Sequence, residues 1–153
     1  MSTRSPLALL IELRRQERDR VAGIAAQARR DVDGASATMR MLEGYRLEYR
    51  QRAPKAGLQI TEVSTVRIHE HFVGKLDAAI DDQAQRVDAL ADRERAQRTA
   101  LAEEQRRLKA LEVLQQRRES ARRRRLEVAE QKQTDEFAAQ AHGRALPRNR
   151  RDD

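Results

Sequence analysis

Residues 62–141 contain no proline, and apolar side chains recur through them at helical and heptad spacing. Val66, Val73, Leu76, Ile80, Val87, Leu90, Leu101, Leu108 and Leu111 form the stripe, with charged and polar residues at most positions between. One helix over that span would run ~120 Å, at ~1.5 Å rise per residue. A chain of 153 residues cannot wrap such a rod in a compact core. The stripe must therefore be covered by a second helix, and any length the second helix does not reach must project.

Composition supports the same fold class. Charged residues make up 37% of the chain and aromatic residues only 3%, with no Trp, two Phe and two Tyr. Ala, Leu, Glu, Arg and Gln dominate, and all are strong helix formers. High charge alone would also suit a disordered chain, but a disordered chain has no regular seam to bury. The absence of cysteine excludes disulfides and thiolate metal sites. The longest apolar run, residues 7–11, is far too short to span a bilayer. No extended apolar region of a secretory signal opens the chain, so a soluble cytoplasmic protein is expected.

The first helix is expected over about 6–50. Ser5 suits the N-cap and Pro6 the first helical position. A heptad frame runs through Leu7, Leu10, Arg14, Glu17, Val21, Ile24, Ala28, Asp31, Ala35, Thr38, Leu42, Tyr45 and Tyr49, and nine of these thirteen positions are apolar. The segment 51–61, with Pro54 and Gly57, breaks the pattern and reads as a turn. Thr61 offers an N-cap for the second helix, expected over about 62–141. Two helices joined this closely pack antiparallel.

The fold expected is all-α: a long antiparallel two-helix coiled coil over 1–142, an α-helical hairpin whose second helix overhangs the first. Folding about residue 56 puts Pro6 near residue 106. Beyond Leu111 the old frame meets Gln115, Arg118, Arg122 and Arg125, while a new stripe passes through Leu114, Ala121 and Val128. Such a shift marks a local change of supercoil. Gly143 and Pro147 mark residues 143–153 as a disordered basic tail.

The net charge of +7 is uneven. Residues 106–153 hold 14 Lys/Arg against 8 Asp/Glu, and residues 1–105 hold 18 against 17. The basic excess thus begins where the overhang is expected, and it favours an acidic partner.

Three groups of residues are candidate sites. Leu42, Tyr45 and Tyr49, facing Phe72, Leu76 and Ala79, gather three of the four aromatic residues near the turn. They read either as seam or as a partner-docking face. Arg117, Arg118, Arg122, Arg123, Arg124 and Arg125 read either as a solvated face held by i,i+4 pairs such as Glu119–Arg123 and Arg123–Glu127, or as a contact for an acidic partner. Four consecutive arginines circle the helix, which suits a groove-reading model poorly, and no leucine zipper follows them. His69 and His71 point roughly 200° apart on a helix and cannot share one metal. No nucleophile, phosphate loop or concave apolar site suggests catalysis, so no enzyme activity, cofactor, metal or small-molecule substrate is expected.

The stretch LKALEVLQQRRESARRRRLEVAEQKQTDEFA at 108–138 resembles the end of the flagellar type III export protein FliJ family. The matching features are Leu111-Glu112-Val113-Leu114, the basic stretch and the segment 130–136, joined by the leucine-rich start at 7–13 and the pair Tyr45 and Tyr49. The YscO secretion stalk family is similar in architecture. The resemblance implies a non-catalytic stalk similar to the central shaft of rotary ATP synthases. It would link an export ATPase hexamer to the cytoplasmic domain of the membrane export gate, and it would assist substrate chaperones. Carried over by resemblance, the gate-binding surface is Leu42, Tyr45, Tyr49, Phe72, Leu76 and Ala79, flanked by Thr38 and Gln83. The ATPase end is the termini with the basic overhang. A basic coiled-coil nucleic-acid-binding protein and a generic scaffolding coiled coil are the alternatives, with nucleic acid the less favoured partner.

Overall fold

Ser5 starts the first helix as its residue type requires. Its side-chain oxygen accepts a hydrogen bond from the Ala8 N–H at 3.2 Å, and its carbonyl accepts one from the Leu9 N–H at 3.1 Å. Pro6 follows at the first helical position, where its N–H would have had no intrahelical acceptor. The structure, a computed structural model, describes residues 4–52 and 61–145. Two helices occupy them, α1 (Pro6–Gln51) and α2 (Thr61–Ala145), and no strand is found among the described residues. The turn expected over 51–61 lies outside the described residues except at its ends. Helix α2 continues past the expected end at 141 through Gly143 to Ala145. The tail expected from 143 therefore loses its first three residues to the helix, and its remainder also lies outside the described residues.

The chain divides into two units, one of residues 13–107 and one of residues 1–12 with 108–153. In the first, the helices pair antiparallel. The Gln83 side-chain amide donates to the Ala35 carbonyl at 2.9 Å, and Arg14 lies 3.7 Å from Glu104. The facing residue numbers sum to 118 at both contacts. A fold about residue 56 would make that sum 112, so the expected register was six residues short.

Burial shows which columns form the seam. On α2 it runs through Val66, His69, Val73, Leu76, Ile80, Gln83, Val87, Leu90, Glu94, Gln97, Leu101 and Glu104, all buried or half-buried. Every apolar stripe residue expected in this unit lies in those columns. On α1 one column is as expected: Arg14, Val21, Ala28, Ala35 and Leu42. The other column lies one residue later than expected, through Arg18, Ala25, Val32, Met39 and Arg46, each half-buried. Glu17, Ile24, Asp31, Thr38 and Tyr45 instead flank the seam along one edge, with Thr38 and Tyr45 exposed.

The second unit keeps a shorter seam. Ile11 and Leu108 are buried at 3% exposure, with Leu7, Leu111 and Gln115 half-buried. Pairing thus extends past residue 106, where the overhang was expected to begin. Gln115 keeps the old frame, and Leu114, on the stripe expected to take over, is exposed. Every residue over 116–145 is exposed, Ala121 and Val128 included.

The buried apolar set is thin: Ile11, Val21, Ala28, Ala35, Leu76, Ile80 and Leu108. Two of these seven are alanine, so backbones approach closely while little area is removed from water. Buried aliphatic side chains contribute about 1.5–3 kcal/mol each. Polar seam residues fix alignment instead, because a shift of one heptad would strand Gln83 and Glu104 away from their partners.

Candidate functional site

In an antiparallel pair, the columns flanking the seam on one side of both helices share one edge. In the unit of residues 13–107 that edge carries Thr38 and Tyr45 from α1 and Phe72 and Ala79 from α2. The seam residues Leu42, Tyr49 and Leu76 adjoin it. Leu76 is 8% exposed and Leu42 and Ala79 are half-buried, so these three serve the core as well as any surface. The rings do not follow them inside: Tyr45 is 46% exposed, Tyr49 38% and Phe72 40%. The Tyr49 and Phe72 rings lie 4.5 Å apart at centroids, tilted by 41°, and His69 stands 6.2 Å from Tyr49. The Tyr49–Phe72 separation lies at the short end of the range in which ring pairs pack in contact. Burial divides the group between the two readings, seam and docking face: Leu42, Leu76 and Ala79 are largely covered, while the rings of Tyr45, Tyr49 and Phe72 are exposed.

The opposite edge is ionic. Arg46 and Arg50 each lie 3.6 Å from one oxygen of Asp77. That oxygen is buried and accepts no hydrogen bond, so the two guanidiniums hold it by charge alone. One side of the pair is thus aromatic and the other an ion cluster.

Exposed aliphatic residues extend the apolar surface beyond the expected group. Met41, Leu47, Val63 and Ile68 are all open to solvent. Periodicity gave no sign of them, because they sit at outward positions; their residue type was the only signal. Among the described residues, no large apolar side chain is exposed between Leu13 and Met41 on α1, or between Phe72 and Leu114 on α2.

Arg117, Arg118, Arg122, Arg123, Arg124 and Arg125 are all exposed on the unpaired part of α2. Arg123 donates to Glu119 at 3.1 Å, forming one of the two expected i,i+4 pairs. No acidic partner accompanies the other five among the described residues. At ~100° per residue, Arg122, Arg123, Arg124 and Arg125 face every direction around the axis. Leu126, Val128 and Phe137 follow them, also exposed.

Among the described residues, no group of His, Cys, Asp or Glu could hold a metal ion, and no helix is long and apolar enough to cross a membrane. His71 is exposed and His69 packs toward Tyr49.

The profile of the family described as Flagellar FliJ protein matches residues 3–146. The chain belongs to the FliJ family. The matched span takes in both helices, the aromatic edge and the arginine run. FliJ proteins are non-catalytic components of flagellar type III protein export, and membership gives this chain an export-related role. No curated protein matches the chain.

Proposed function

We propose that this FliJ-family protein is the coupling stalk of the flagellar export apparatus. It joins the export ATPase hexamer to the cytoplasmic domain of the membrane export gate, and it assists substrate chaperones. It acts on the cytoplasmic side, at the periphery of the membrane-embedded machinery. The observation that carries this reading is that the chain has two unlike surfaces. An aromatic edge at Tyr45, Tyr49 and Phe72 belongs to one unit, and a helix cationic on all sides belongs to the other. A protein that joins two partners needs two such surfaces.

Each surface suits its assigned partner. Exposed rings seated beside a rigid seam are typical anchors of a protein interface. Charge spread around a helix is matched best by a partner that encloses it, as a ring does. A flat acidic surface or a nucleic-acid groove would meet only part of it. The attraction between a basic helix and an acidic ring weakens with salt.

Binding of the purified gate domain and ATPase, by calorimetry, tests the assignment. Tyr45→Ala with Phe72→Ala should weaken gate binding at least tenfold and leave helicity and ATPase binding unchanged. Replacing Arg122, Arg123, Arg124 and Arg125 by Gln should weaken ATPase binding alone. If both variants bind both partners like the wild type, the stalk assignment fails.

A further inference from the structure

The aromatic edge continues past its flanking residues Thr38 and Gln83 into a groove whose arginines none of the roles above uses. One heptad beyond Ala79 on α2 comes Arg86, and one heptad further comes Arg93. Between them and α1 lies an open groove of about 640 Å³. Its floor is Gly34, Ala35 and Leu90. Gly34 has nothing within 4 Å of where a side chain would begin, so the groove is open there. The Thr38 hydroxyl donates to the Gly34 carbonyl at 3.2 Å, and Gln83 donates to that of Ala35, so backbone acceptors on this wall are already engaged.

The rim is cationic and unspent. Most arginines in this unit have an acidic partner: Arg14, Arg18, Arg20, Arg29, Arg46 and Arg50 all do. Arg86 and Arg93 have none among the described residues. One acid, Asp31, also lines the groove and accepts from the Gln27 amide; Arg30, on the same wall, donates to Gln27, so three guanidiniums face one carboxylate across the lining.

We infer that this groove receives an acidic segment of the protein partner that docks on the aromatic edge. The partner's identity rests on the gate assignment above; the chemistry of the segment does not. Arg86 and Arg93 stand ~10 Å apart along the helix, at ~1.5 Å per residue. Leu90 lies between them. A lone inorganic anion would face leucine on one side and lose its water for little return. A segment that presents a small apolar side chain between two carboxylates one heptad apart meets both guanidiniums and covers Leu90.

The test uses the full chain with Arg117, Arg118, Arg122, Arg123, Arg124 and Arg125 replaced by Gln, which removes the competing basic run. The probes are two fluorescent helical peptides with an alanine face, one carrying Glu at two positions seven apart and one carrying Gln there. By anisotropy at low salt, the Glu peptide should bind about tenfold tighter than the Gln peptide. Arg86→Gln with Arg93→Gln should abolish the difference, and Tyr45→Ala with Phe72→Ala should preserve it. Equal binding of the two peptides, or a preference that survives the arginine substitutions, overturns the proposal. The purified gate domain then separates the two ideas. Loss of its binding in the arginine variant but not in the aromatic variant supports the groove and counts against the aromatic anchor. Loss only in the aromatic variant overturns the groove as part of the gate contact.

Discussion

Replacing Glu104 by leucine should make the protein more stable. Glu104 occupies a seam position at 9% exposure, between Leu101 and Leu108 in the adjoining column. A carboxylate in such a place has lost nearly all its water, at an effective cost of several kcal/mol. Little offsets that cost. Arg14 is 3.7 Å away, and the oxygen it faces accepts no hydrogen bond. Arg107 donates to the other oxygen at 2.8 Å, but its side chain is 58% exposed. A pair of that kind contributes about 0.2–1 kcal/mol. Leucine at this position would add about 1.5–3 kcal/mol of apolar burial. Arg14, whose side chain is 40% exposed, would keep its hydration. The net expectation is a gain of about 1–3 kcal/mol, with Glu104→Gln falling between leucine and the wild type. Urea unfolding followed by far-ultraviolet circular dichroism measures it. A leucine variant less stable than the wild type at both low and high salt would refute the reasoning, because the buried ion would then be a net source of stability.

Three further outcomes are expected. Gly23 and Gly44 lie on the outer face of α1 with open space around them, so Gly23→Ala and Gly44→Ala should each stabilise by about 0.5–1 kcal/mol, read as a rise in thermal midpoint. Ile80→Ala should cost about 2–4 kcal/mol, since Ile80 is 5% exposed, whereas Phe137→Ala should move the unfolding midpoint of the free protein hardly at all. The hydrogen bond from Arg20 holds the Glu17 carboxyl below the usual carboxylate range. A depressed value means that the contribution of Glu17 is present above its unfolded-state pKa and fades as pH falls through the folded value. Proton titration by NMR should find Glu17 low in the wild type and near the ordinary range in Arg20→Gln.

The helices were legible because their signals are local: Ser5 before Pro6, apolar residues every third or fourth position, and no proline over 62–141. The second seam column of α1 was not legible, for a physical reason. Judged by residue type, Leu10, Ile24 and Tyr45 are better core candidates than Arg18, Ala25 and Arg46. The antiparallel partner decides otherwise. Alanine lets the backbones close, and long arginine stems lie along apolar surface while their heads reach water. Leu10 and Tyr45 are left at the edge. Register was out of reach as well, since it is set by contacts such as Gln83 with Ala35 that join residues distant in sequence. For the candidate site, the aromatic rings could be named from the sequence. The ion cluster at Asp77 and the groove beside Gly34 could not, because both depend on which residues stand level across the pair.

The bare part of α2, over 116–145, is helical without a neighbour to lean on. Short-range bonds such as Arg123 to Glu119 and Gln131 to Asp135 brace it from within. A captor would therefore receive a finished rod. Segments that fold only on capture lose conformational freedom at that moment, and this one would lose little. More of the charge attraction would then remain as net affinity than for a segment that must fold as it is held.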